Sequence, residues 1–158
     1  MVSGIASLIF SMNPDLTNVE VTRMILNSAR DIETPGRDQY TGHGLVDAVA
    51  ALRADPDFEI IADISGIAVV SEDGQTFVAV AGTVSANQFD YAEISIGEGE
   101  SPSSFKTMGE RVMTPVISGE LTRIPADEFR AAPVWIVRII VIHKNGQMRE
   151  EWFTLRLG

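Results

Sequence analysis

The chain has 158 residues with 22 acidic against 12 basic side chains, a formal net charge of −10. Such a surface excludes nucleic acid and anionic membrane as the main partners, because both need a basic face. No cysteine is present, which excludes disulfides and thiolate metal sites, and no apolar run reaches the roughly 18 to 20 residues that cross a bilayer.

Taken in chain order, Val2 to Phe10 comes first, small and apolar, with no capping residue in front of it. It reads as an interior helix. A secretory signal needs a basic segment ahead of its apolar core, and the first basic residue here is Arg23, so the segment is not read as a signal peptide. Pro14 ends it, since the proline ring disfavours helix in the preceding residue. Thr17, three residues before Glu20, forms a capping-box pattern. Val19, Met24, Ile25 and Ala29, with Val21 and Leu26, then give a broad apolar face at helical spacing. A turn-rich loop, DIETPGRDQYTGHG, precedes a third short helix over LVDAVAAL that ends near Arg53. These helices occupy residues 1–53, too few to bury an independent core. Ala54-Asp55-Pro56-Asp57 is the expected linker over 54–57.

Over residues 58–158 the apolar period changes from helical to alternating. FEIIADI, GIAVV, TFVAVAGTV, FDYAEISIG, VMTPVIS, PVWIVRIIVIHK and REEWFTLRL read as strands. The strand from Phe77 to Val84 and the strand from Trp135 to Val141 are apolar on both sides, as interior strands are. Asn145-Gly146 predicts a two-residue hairpin in which both turn positions take positive φ. About seven strands in about 100 residues, with no cysteine pair, predict an immunoglobulin-like or fibronectin-like sandwich. The expected fold class is therefore α+β, a short helical segment followed by an all-β sandwich.

The first third of the chain resembles the C-terminal end of a subtilisin-family serine protease catalytic domain. In that family the nucleophilic serine lies in Gly-Thr-Ser-Met-Ala-x-Pro-His-Val-x-Gly at a helix start. Val2, Ser3 and Gly4 match its last three positions, and Met1 stands where the family has His. Asn13-Pro14-Asp15-Leu16-Thr17 matches the loop to the next helix. Tyr40, Gly42, Gly44, Leu45, Val46, Asp47 and Ala48 match the closing Tyr-Gly-x-Gly-x-Val-(Asp/Asn)-Ala segment. The resemblance implies that the helices are a remnant of a subtilisin-like α/β domain. It places the Asp/His/Ser triad upstream of Met1, so that no catalytic residue is carried by this chain. It further implies a bacterial, secreted or cell-surface enzyme that cleaves protein substrates, with calcium as a common ion of the family. The rhythm of GTVSANQFDYAEISIGEGESPSSF also resembles β-sandwich modules appended to exported bacterial proteases.

Within the chain itself a triad would have to use His43, near Asp38 and Asp47, or His143 at the end of a strand. Both read as exposed loop or turn residues, and Ser3 as a helix-packing position, so no catalytic, cofactor or metal residue is assigned. Gly97-Glu98-Gly99-Glu100 is an acidic turn that would repel phosphate. Ser71-Glu72-Asp73-Gly74 offers two carboxylates, whereas calcium needs roughly six to eight oxygens. Trp135 reads as core and Trp152 as an exposed ring suited to a sugar platform. Acidic side chains outnumber basic ones 7 to 4 up to Pro56 and 15 to 8 beyond it, a solubility feature rather than a docking patch.

Three functions are expected of such a chain. It is the C-terminal part of a subtilisin-like endopeptidase, inactive alone, with the sandwich as a substrate-binding, anchoring or stabilising module. Alternatively it is a free-standing, non-enzymatic binding module, or a partner that completes a catalytic half supplied as another chain. In the first and third cases the face of the first two helices lacks its partner, and the chain self-associates through it.

Overall fold

A computed structural model of the chain describes residues 1–32, 35–36 and 41–157. Asp38 and Tyr40, named in the loop above, lie outside the described residues. The chain divides into two compact units, Met1–Ile60 and Ile61–Gly158.

The first unit holds α1 (Val2–Met12), α2 (Asn18–Ser28) and α3 (Ala48–Arg53). The α2 start forms as its residues dictate. The Thr17 hydroxyl accepts from the Glu20 N–H at 3.3 Å, and the Thr17 N–H donates to the Glu20 carboxylate at 2.6 Å. Asp47 caps α3 by accepting from the Ala50 N–H at 2.9 Å. The third helix therefore begins at Ala48 rather than Leu45. Leu45 is instead bridged to Arg30 by two 2.8 Å main-chain hydrogen bonds. Ile5, Ile9, Val21, Met24, Ile25 and Ala51 are buried together, with Phe10, Leu16 and Leu52 against them. The expected linker is tied to α2. Arg23 donates to the Pro56 carbonyl at 3.1 Å and pairs with Glu59 at 3.2 Å, and Asn27 donates to the Phe58 carbonyl at 2.7 Å.

The second unit is built from antiparallel strands. These are β1 (Ile60–Glu72), β2 (Gln75–Ala86), β3 (Phe89–Glu98), β4 (Lys106–Thr107), β5 (Val116–Pro125), β6 (Val134–His143) and β7 (Met148–Arg156). They form a three-stranded sheet in the order β1-β2-β5 and a four-stranded sheet in the order β4-β3-β6-β7. Strand β2 lies against β3 and β6 of the other sheet. Val80, Val84, Ile94, Ile124, Val137, Ile139 and Val141 are wholly buried between them. Each such side chain stabilises by roughly 1.5–3 kcal/mol. Strands β2 and β6 are interior, as their two apolar sides require. The α+β class is thus observed.

Three local expectations differ. FEIIADI and GIAVV are one continuous strand, because cross-strand pairing carries β1 through Ser65-Gly66. VMTPVIS is not the fifth strand. That strand starts at Val116 and continues through Gly119 to Pro125, with Ser118 at φ +49° and register shifts where β2 pairs it. At Asn145-Gly146 only Gly146 has positive φ, +86°. The turn closes from His143 to Gly146 instead, the Gly146 N–H donating to the His143 carbonyl at 2.8 Å. The two-residue turn with both residues at positive φ is Asp73-Gly74, between β1 and β2.

Candidate functional site

Ser3, Asp47, His43 and His143 are the described residues from which a triad within the chain would be drawn. Ser3 is exposed on α1, and its carbonyl accepts from the Ser7 hydroxyl at 3.0 Å. Asp47 is occupied as the α3 cap. His43 is half-buried in the loop before α3. His143 is not the exposed turn residue expected but is 4% exposed. Its Nδ1 accepts from the Asn145 N–H at 3.1 Å, which places the proton on Nε2, 3.0 Å from Asn87 Oδ1. The imidazole staples the β6–β7 turn to the β2–β3 turn.

The two acidic turns are also engaged in structure. Glu72 pairs with Arg123, which Glu120 also contacts at 2.8 Å. The hydrogen bond that Arg123 donates to Glu120, then the charges of Glu120 and Glu72, hold the Arg123 guanidinium above its ordinary value. Among the described residues no three His, Cys, Asp or Glu side chains converge as a metal site would require. Gly99, at φ +86°, turns the chain after β3, and its N–H donates to the Val134 carbonyl at 2.9 Å. A Cβ at Gly97 would stand 2.5 Å from the Pro102 ring, so glycine there lets the loop fold back. The result is an open groove of about 540 Å³ lined by Glu98, Glu100, Pro102, Ser103, Ser104 and Pro133 among others. Glu100 on its rim pairs with Arg156 at 2.7 Å.

The outer face of the four-stranded sheet carries an aromatic–cation array. Ser95, Arg138 and Trp152 stand side by side across β3, β6 and β7. The Arg138 guanidinium lies 3.8 Å from the centre of the Phe105 ring and donates to Ser95 Oγ at 3.0 Å. Trp152 meets Phe105 edge-on at 5.2 Å and donates to Glu150 at 3.2 Å. Trp152 is consequently half-buried. Sequence reasoning missed the array. Its one local signal is Arg138, the lone charge in a nine-residue apolar stretch, but the partners come from register and from a loop.

Trp135 is core, as expected, at 7% exposure. Its indole N–H lies 3.1 Å from the Phe129 carbonyl and 3.0 Å from that of Ala132. The Phe129 ring meets it edge-on at 5.5 Å.

The α1 helix carries exposed apolar side chains. Ile5 and Ile9 are buried, yet Met1, Leu8 and Met12 are 88%, 53% and 61% exposed. At 100° per residue these three share one side of the helix with Gly4. A Cβ at Gly4 would meet nothing within 4 Å. No helix among the described residues is long and apolar enough to cross a membrane. No protein-family model, curated protein or solved structure matches the chain.

Proposed function

We propose that the chain is the C-terminal part of a subtilisin-like serine endopeptidase. In this reading its first unit is the closing helical piece of the catalytic domain, and its second an immunoglobulin- or fibronectin-like accessory module. The chain is inactive alone and contributes to a peptidase whose nucleophile, base and orienting acid lie upstream.

The α1 surface carries the reading. A surface helix normally has one apolar stripe and a polar remainder. On this one a single apolar arc runs through Leu8, Met1, Met12, Ile5 and Ile9, and only Ile5 and Ile9 of it are buried while Met1, Leu8 and Met12 are exposed. It has no charged residue from Val2 to Met12. Glycine inside a helix is less favourable than alanine by about 1 kcal/mol. At Gly4 nothing described needs the space. A second layer of protein packed closely on this side explains both facts. The closing segment supports the same reading. Gly44, at φ +96°, lies where any Cβ would strike the Arg30 carbonyl, and it holds the Arg30–Leu45 bridge that precedes α3. The glycine of the resembled segment thus has a backbone reason to be there.

For the second unit, lettering the strands A to G makes the sheets A-B-E and, with the short β4 beside C, C-F-G. Immunoglobulin constant-type domains place their fourth strand beside E instead, so the order favours the fibronectin-like variant. Trp135, at the start of the sixth strand, donates back to Phe129 and Ala132. A tyrosine does this at the same corner of immunoglobulin-like sandwiches.

The coding DNA upstream of the Met1 codon tests the reading. It is expected to encode, in frame, Gly-Thr-Ser-Met-Ala-x-Pro ending at this point. An in-frame stop codon with no such stretch overturns it. In the isolated chain, Leu8→Glu and Met12→Glu are expected to abolish binding of an apolar dye without lowering Tm. A large loss of Tm would mean that α1 has its partner already, and the reading fails.

A further inference from the structure

The β6–β7 turn sets a carboxamide beside an unshielded backbone amide. Of the asparagines at 13, 18, 27, 87 and 145, Asn145 alone precedes a glycine. Asn13 precedes Pro14, which has no N–H. Asn18 and Asn27 lie in α2 and are followed by Val19 and Ser28, and Asn87 is followed by Gln88. A side chain on the following residue hinders approach to its amide nitrogen, and Gly146 has none. Asn145 and Gly146 are both exposed, and a Cβ at Gly146 would meet nothing within 4 Å.

The closed turn keeps this pair from reacting. The His143 N–H donates to the Gln147 carbonyl at 2.9 Å, and the Gly146 N–H donates to the His143 carbonyl at 2.8 Å. The loop is therefore Lys144-Asn145-Gly146, with its last residue at φ +86°. The Gly146 amide is thus tied to β6, while the Asn145 carboxamide is held on Gln147. Asn145 Oδ1 accepts from the Gln147 N–H at 2.9 Å, and Nδ2 donates to Gln147 Oε1 at 3.0 Å. The β2–β3 turn latches the loop from the other side. Asn87 Oδ1 lies 3.0 Å from His143 Nε2, and the Lys144 N–H donates to the Gln88 carbonyl at 2.9 Å.

We propose that Asn145 is a site of spontaneous deamidation, and that the His143–Asn87 contact is the latch that sets its rate. When the turn opens, the Gly146 nitrogen gives up its proton to solvent and attacks Asn145 Cγ. The new bond closes a five-membered imide, a ring that two adjacent residues form without bringing in a second molecule. The Cγ–Nδ2 bond breaks, and the nitrogen leaves as ammonia with a proton from water. In the imide Gly146 has no N–H, so its bond to the His143 carbonyl is gone. Water then opens the ring. Attack at Cγ gives aspartate. Attack at the main-chain carbonyl of residue 145 gives isoaspartate, which lengthens the loop by one methylene. Either product carries a carboxylate in place of the amide and loses the donor to Gln147. The modification therefore loosens the turn that had restrained it.

The full chain is incubated in mildly alkaline buffer, and its peptides are mapped by mass over time. Aspartate and isoaspartate are expected at 145 before any change at 13, 18, 27 or 87. The rate is expected to be about tenfold or more below that of the same chain unfolded in guanidinium chloride, because the turn must open first. Asn87 is exposed, so Asn87→Ala keeps the fold, which circular dichroism checks. It is expected to raise the rate about two- to tenfold, as the loss of a hydrogen bond allows, with faster amide exchange at Gly146. Gly44→Ala, in the first unit, is expected to leave the rate unchanged. An Asn145 that converts no faster than the other asparagines overturns the proposal. A folded chain that converts as fast as the unfolded one removes the latch, as does an Asn87→Ala rate equal to the parent's. Equal acceleration by Gly44→Ala and Asn87→Ala would mean that the turn opens only when the whole chain does, and overturns it too.

Discussion

The backbone N–H of Ile64 donates to the carboxylate of Glu151 at 3.3 Å, joining the edge strand of one sheet to the edge strand of the other. Glu151 is 8% exposed and faces inward from β7. A side chain here supplies an acceptor that a neighbouring strand would otherwise provide. Replacing Glu151 by Ala leaves a poorly solvated donor, which is destabilising by about 1–3 kcal/mol. Thermal unfolding is expected to shift down, with faster amide exchange at Ile64. Unchanged exchange at Ile64 would mean that the contact does not hold the edge.

Trp135 closes the corner between β5 and β6 with a donor that phenylalanine lacks. Trp135→Phe keeps most of the buried ring but strands the Phe129 and Ala132 carbonyls. The expected loss is about 1–3 kcal/mol, seen as a lower denaturant midpoint with unchanged m-value. Trp135→Phe as stable as the parent would show that the corner is held by packing alone.

Gly44→Ala forces a Cβ into the Arg30 carbonyl at a positive φ. It is expected to destabilise the first unit by more than the roughly 1–2 kcal/mol of a left-handed residue alone. NMR signals of Arg30 and Leu45 are expected to move while those of β6 stay in place. Gly42→Ala, where a Cβ meets nothing within 4 Å, carries the positive-φ penalty alone and serves as the comparison.

The α2 cap carries a pH dependence of defined sign. The hydrogen bond from the Thr17 backbone N–H, then that from its hydroxyl, hold the Glu20 carboxyl below its ordinary value of 4.5. A lowered folded-state value means stability present above the unfolded value and lost as pH falls through the folded one. The Thr17 amide resonance is therefore expected to titrate below pH 4.5. In Glu20→Gln, which can still form the capping box, that titration disappears. A Thr17 amide that titrates identically in both proteins would locate the proton elsewhere.

The division at Ile60/Ile61 predicts that residues 57–158 unfold cooperatively after residues 1–53 are removed. Calorimetry of the truncated chain is the measurement. A broad, non-cooperative transition would show that the helices are part of the sandwich's own folding unit.

Features whose cause is local were legible in the residues. Thr17 and Glu20 form their box because both partners lie within one turn of helix. Val78, Val80 and Val84 are buried because a strand side chain alternates faces. Trp135 reads as core because it starts an apolar run longer than one face can use. The misreadings share a different cause. Ser65-Gly66 and Ser118-Gly119 are breakers by composition, yet cross-strand pairing carries the strand past both. Asn145-Gly146 has the composition of a two-residue turn. His143 accepts from the Asn145 N–H and moves the turn one residue earlier.

The sequence by itself determined the acidic, cysteine-free character, the three helices, the change of period near Phe58 and the antiparallel β-rich class. These rest on composition, capping and spacing, which act within a few residues. Only the tertiary structure decided that Arg138 meets Phe105, that Glu151 holds Ile64, that His143 is buried, and that β1 stands at the edge of its sheet. Each joins groups far apart in the chain. Such contacts depend on strand register and sheet order, which no local pattern of residues encodes.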